Sequence, residues 1–184
     1  MKILVTYFSE TGNTRKIAES IGEAVKVSTD DVVVAPLSDV DPDSLAGFDA
    51  AFVGSTCHSA DIAAPVKEFL SRIPANYSAL KLAGFVTHST TMPEGDDWKK
   101  EMHERWAGKC PSSFERACAD KGIKFLGYFS CQGAPSPELE TFIRESIIPD
   151  EKQWKAYIEV ARQHPTEEDM EAARTFTRSM LAKC

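Results

Sequence analysis

Ser9, Glu10, Thr11, Gly12, Asn13 and Thr14 stand directly after an apolar run, Ile3 to Phe8, and directly before an amphipathic helix pattern. A strand-to-helix turn of this kind can grip a phosphate. It presents backbone N–H groups at the positive end of the helix dipole, and the hydroxyls of Ser9, Thr11 and Thr14 add donors. Gly12 lets the backbone approach a ligand closely. No Lys or Arg lies inside the six, so a bound phosphate would be held by neutral donors, although Arg15 follows directly. The absence of Gly-Lys-Ser/Thr excludes a P-loop, and the absence of Gly-x-Gly-x-x-Gly excludes a dinucleotide turn. A plain helix start capped by Asn13 or Thr14 accounts for fewer of the coinciding positions.

The elements that must position this turn alternate. Ile17, Ala18, Ile21, Ala24 and Val25 share one helical face. Val32 to Ala35 is a short strand stopped by Pro36, Ala50 to Gly54 a third apolar run, Lys81 to Thr87 a fourth and Ile123 to Ser130 a fifth. Pro65 suits the first turn of a helix with Val66, Phe69, Leu70 and Ile73 as its buried stripe. The polar segment His88 to Pro111 contains a short helix around Asp97 to Trp106. In it Trp98 and Trp106 have the spacing of a stripe docked on the core, and Asp96, Asp97, Glu101 and Glu104 form a solvated face. Ser112 and Glu115 read as a capping box, with Gly122 as the stop. Beyond Pro137 come helical patches at Leu139, Phe142 and Ile143 and at Trp154 to Ala161, then a last helix capped by Thr166 and Asp169.

Five strands separated by helices or long connections call for a parallel sheet covered on both faces. Ligands of such sheets bind beyond the carboxyl ends of the strands. The segments 9–14, 55–64, 88–98 and 131–137 all follow strands, and as loops they converge on one rim. A chain of 184 residues is expected to be a single domain, with a helical extension from about Pro137.

The net charge of −7 argues against a nucleic-acid groove and suits docking onto basic proteins. Five cysteines (57, 110, 118, 131 and 184) with no Cys-x-x-Cys suggest neither a disulfide framework nor a zinc site. Reduced thiols in a cytoplasm are expected, and Cys57 reads as a small apolar packing residue. No stretch reaches transmembrane length and no signal peptide is recognisable. Oligomeric state is left open.

The pattern Ser/Thr-x-Thr-Gly-x-Thr after the first strand resembles the FMN-phosphate loop of the flavodoxin family. Gly54-Ser55-Thr56 followed by Ala64-Pro65-Val66-Lys67-Glu68-Phe69-Leu70 is similar to flavodoxin-like reductases, and His164 to Asp169 to the entry of the family's final helix. The resemblance implies an α/β, flavodoxin-like, doubly wound five-stranded parallel sheet of order 2-1-3-4-5. It implies non-covalent FMN, its phosphate at Ser9 to Thr14 and its ring between two walls. One wall is Ser55, Thr56, Cys57, His58, Ser59 and Ala60. The other is Thr87, His88, Ser89, Thr90 and Thr91.

Small flavodoxins often place Trp in the first wall and Tyr in the second; here both are absent. His58 and His88 take up the neighbourhood, and their positions after strands favour cofactor contact over a solvated loop role. The first functional reading is an electron carrier serving redox partner proteins or a small-molecule acceptor, with no acid or base supplied by the protein. The alternative is an NAD(P)H-dependent FMN or quinone oxidoreductase, favoured by the long segment after the fourth strand.

Overall fold

The computed structural model describes residues 1–75, 77–95 and 97–184. Strands β1 (Ile3–Tyr7), β2 (Val32–Pro36), β3 (Ala50–His58), β5 (Lys81–His88) and β6 (Lys124–Gln132) form a parallel sheet in the order β2-β1-β3-β5-β6. The two-residue strand β4 (Asp61–Ile62) pairs antiparallel with the end of β3. The doubly wound order expected from sequence is present, with β4 added beside it.

Side chains alternate across the sheet, as the pleat requires. Ile3, Val5, Phe52, Ala83 and Phe85 face helices α1 (Asn13–Lys26) and α7 (Glu167–Leu181). Leu4, Ala51, Val53, Leu82 and Val86 face α2 (Ala64–Arg72) and α4 (Cys110–Lys121). Helices α3 (Asp97–Ala107), α5 (Pro137–Ser146) and α6 (Glu151–Ala161) bury few residues each: Ala107, Ile143, and Ile158 with Ala161. Asp97, Glu101 and Glu104 are exposed as expected, while Asp96 lies outside the described residues.

Local signals account for several boundaries. Pro65 opens α2 within its first turn, Gly122 closes α4 in the left-handed conformation at φ 67°, and Thr166 with Asp169 forms a complete capping box for α7. Other boundaries differ from the sequence reading. The helix expected to open at a Ser112–Glu115 box starts at Cys110, with Lys109 as N-cap and Pro111 in its first turn. The Ser112 hydroxyl donates to the Lys109 carbonyl at 2.9 Å instead of capping. Residues 55–58 are strand rather than loop, because Ser55 and Thr56 continue the pairing with β5 while Cys57 and His58 pair with β4. Ser59 and Ala60, at φ 51° and 70°, make the tight turn between them. Residues 37–47 contain two 3₁₀ segments, Leu37–Asp39 and Pro42–Gly47.

Gly54, buried in β3, is packed by its cross-strand neighbour. A Cβ there would meet the Phe85 ring at 2.2 Å. Gly54→Ala is expected to destabilise the fold by about 1–3 kcal/mol through overpacking. Adding Phe85→Leu should cost less in that background than in the parent, as read by urea unfolding of the double-mutant cycle. Strictly additive effects would contradict this packing.

Candidate functional site

The carboxyl ends of β1, β3, β5 and β6 surround a cleft of about 680 Å³. Glu10, Thr11 and Asn13 line it from the first turn, Thr56, Cys57, His58 and Ser59 from the end of β3, and Thr87, His88 and Ser89 from the end of β5. Gly133, Ala134, Ser136, Glu138, Leu139 and Phe142 complete it. Ser9, Gly12, Thr14, Ser55, Ala60, Thr90 and Thr91, the remaining candidates from sequence, are not part of this lining.

The first turn is shaped by its own backbone. Gly12 is the N-cap of α1 in the left-handed conformation (φ 90°), with open space where a Cβ would sit and no side-chain cap. Neither Asn13 nor Thr14 caps the helix. Asn13 donates its amide to the Thr11 hydroxyl at 3.0 Å and to the Ala134 carbonyl at 2.8 Å, bridging the turn to the segment after β6. The Thr14 hydroxyl is fully buried and hydrogen-bonded to the Thr87 hydroxyl at 2.8 Å, so it ties the turn to β5. Ser9 accepts the Arg15 N–H at 3.3 Å, leaving its own hydroxyl hydrogen free to donate. Arg15 pairs with Glu19 along the helix at 2.8 Å, which leaves the turn electrically neutral but for Glu10.

Glu10 reaches to β3, where its carboxylate meets His58 Nε2 at 2.6 Å; both side chains are about half exposed. Ser55 is fully buried, donates to the Thr56 carbonyl and accepts the Ala63 N–H at 2.9 Å, so it builds the β3–β4 hairpin rather than facing the cleft. Asp61 pins that hairpin through Lys67 Nζ and the Ser113 hydroxyl, each at 2.6 Å.

His88 departs most from its expected loop setting. It is only 3% exposed, its Nδ1 lies 3.2 Å from the Thr90 carbonyl, and its Nε2 is buried without a partner. Burial, aided by the nearby His103 ring at 4.9 Å, pushes its pKa down to about 3. The ring is therefore neutral, with Nδ1–H donating to the Thr90 carbonyl and Nε2 left as an acceptor. The strand end is fastened by the Gly133 N–H to the His88 carbonyl at 2.8 Å and by the Tyr157 hydroxyl to the Ser89 carbonyl at 2.5 Å. A second cavity of about 250 Å³ adjoins the cleft under α3, α5 and α6, lined by Thr90, Thr91, Trp98, Trp106 and Phe142 among others. Trp106 packs edge-on against Phe142 at 6.0 Å, whereas Trp98 is 45% exposed. Trp106 thus docks on α5 and the exposed Trp98 does not join it, so the two do not form the core-docked stripe expected from their spacing.

A profile of the flavodoxin domain matches residues 4–178. The chain belongs to the flavodoxin family. It is 27% identical over 188 residues to the flavodoxin-like domain-containing protein BilS of Clostridioides difficile, covering 100% of this chain and 98% of the relative. It is 30% identical over 107 residues to a flavodoxin of Clostridium beijerinckii, covering 56% of this chain and 75% of that one. Among solved structures, oxidised flavodoxin 1 of Bacillus cereus aligns over 100% of this chain and 99% of its own, with a TM-score of 0.64 and 14% identity.

The ends of β3 and β5 bring no Phe, Tyr or Trp into the cleft, and Leu139 and Phe142 of α5 supply large apolar side chains to its lining. These residues were missed from sequence because their helical spacing reads equally as core packing. Gly133 and Ala134 fell inside the expected rim segment 131–137, without a residue-level signal. For the buried His88, the unfolded chain takes a proton below its ordinary pKa of 6.5, whereas the native state resists until about pH 3. Acid therefore costs stability across that window, by up to about 1.4 kcal/mol per pH unit. His88→Gln is expected to lose less stability than the parent between about pH 7.5 and about pH 5 in urea unfolding; equal losses would contradict a neutral, buried His88.

Proposed function

We propose that the chain binds FMN non-covalently in the cleft and carries electrons through it between redox partner proteins or to a small-molecule acceptor. The observation that carries this reading is the turn at the start of α1, with its left-handed Gly12 and its Glu10 carboxylate drawn aside to His58, opening directly onto the cleft. Main-chain N–H groups from 10 to 14 and the hydroxyls of Ser9 and Thr11 would hold the phosphate. The Asn13 amide is already committed to Ala134 and fixes the turn in place. The segments 56–59 and 87–90 would flank the ring, with Leu139 and Phe142 excluding water from it. The unpaired Nε2 of His88 fits a ligand that offers an N–H or O–H there. Once bound, the flavin supplies the redox chemistry, and the chain supplies position, polarity and partner docking.

The negative net charge supports basic protein partners, and five free thiols fit a reducing cytoplasm. No helix among the described residues is long and apolar enough to cross a membrane. A second reading, an NAD(P)H-dependent FMN or quinone oxidoreductase, draws on the cavity beside the cleft, which offers room for another ligand.

The visible spectrum of the purified protein, with the mass of the flavin it releases, tests the cofactor. Steady-state oxidation of NAD(P)H with a quinone separates carrier from reductase: a carrier gives no turnover above free FMN. FMN should bind far more tightly than riboflavin. Thr11→Val should weaken FMN binding about tenfold or more, since a hydrogen bond to a charged group contributes roughly 1.5–3 kcal/mol. Equal affinity for FMN and riboflavin in calorimetric titration would overturn the phosphate assignment.

A further inference from the structure

Two cysteines 53 positions apart in the chain meet in the wall of the cleft. Cys110 Sγ lies 3.6 Å from Cys57 Sγ and donates its hydrogen toward it. A covalent S–S bond is about 2.05 Å long, so roughly 1.5 Å of side-chain movement joins them. The two segments are already laced together: the Lys109 N–H donates to the Ala60 carbonyl at 3.0 Å, and the Cys57 thiol lies 3.1 Å from the Trp106 carbonyl.

Access to the pair is unequal. Cys57 is half-buried and lines both the cleft and the adjoining cavity, while Cys110, the first residue of α4, is fully buried behind it. The hydrogen bond from Cys110 lowers the pKa of Cys57 against the opposing effects of burial and Asp61, so the first proton leaves the accessible sulfur. The same bond, together with burial, raises Cys110. Burial pushes Cys118 up to about 12, which keeps that thiol unreactive.

We propose that Cys57 and Cys110 form a dithiol–disulfide centre that exchanges with small disulfides entering the cleft, Cys57 attacking and Cys110 resolving. The Cys57 thiolate attacks one sulfur of the small disulfide, whose S–S bond breaks and releases one thiolate, which takes up the proton that Cys57 lost. Cys110 then gives up its proton and attacks the Cys57 sulfur, expelling the second small thiol. Two electrons and two protons pass to the small disulfide, and one protein disulfide forms. In a cytoplasm such bonds are transient and belong to catalysis or redox sensing. Cys57 also lines the adjoining cavity, which gives a small disulfide a route to its sulfur beside the flavin proposed for the cleft.

The test uses the whole chain carrying Cys184→Ser, which removes the exposed thiol, treated under native conditions with oxidised glutathione. Trypsin separates the two sulfurs cleanly, because Cys57 is the only cysteine of peptide 27–67 and Cys110 the only one of peptide 110–116. Two glutathione thiols should be released per chain, and non-reducing mass spectrometry should find these two peptides joined. Cys110→Ser added to this background should instead trap one glutathione on Cys57; Cys110→Ala gives the same readout if the serine variant does not fold. A stable glutathione adduct on Cys57 in the parent, or the absence of the 27–67/110–116 cross-link, overturns the proposal.

Discussion

Ile3, Val5 and Phe52 lie on one side of the two central strands, and Leu4, Ala51 and Val53 on the other, all withdrawn from solvent. Backbone groups in such strands have no access to water and must be paired within the sheet. Parallel pairing of β1 with both β2 and β3, and of β3 with β5, meets that demand, and the crossovers it requires bring helices onto both faces. The site follows from this arrangement, because parallel strands all end at the same edge. Where the apolar layers run out there, Asn13, Thr14, Thr87, His88 and Gln132 take over as buried polar residues.

These residues fasten the loops to one another more than they reach outward. Asn13 joins the first turn to Ala134, Thr14 joins it to β5, and Gly133 joins the segment after β6 to the His88 carbonyl. A rim held in this way is ordered before any ligand arrives, so less freedom is lost on binding. It also sorts the donors. Asn13 and Thr14, which a motif alone would assign to the ligand, are committed to structure, and in the proposed FMN site the main-chain N–H groups of the turn, with Ser9 and Thr11, are what is left to meet the phosphate.

The sequence was most legible where a local signal coincides with the tertiary demand. The helix stripe from Ile17 to Val25, Pro65 at the start of α2, Gly122 after α4 and the Thr166–Asp169 box all stand where the pattern puts them. It was least legible where pairing overrides composition. Ser55 to His58 carry no strand pattern, and Ala60 is no turn former. They become strand and turn because β5 extends beside them and β4 folds back on them. The contact between Cys57 and Cys110 was invisible for a similar reason: it depends on how α4 docks on the hairpin, which no spacing records. The lining from α5 and the burial of His88 likewise arise from packing between distant segments.

A crystal structure of the protein grown with FMN tests the assignment of the cleft most directly. The phosphate is expected within about 3 Å of main-chain nitrogens between residues 10 and 14, with the ring between the segments 56–59 and 87–90. A phosphate bound elsewhere while this turn stays vacant, or a ring lying outside the cleft, would contradict that assignment.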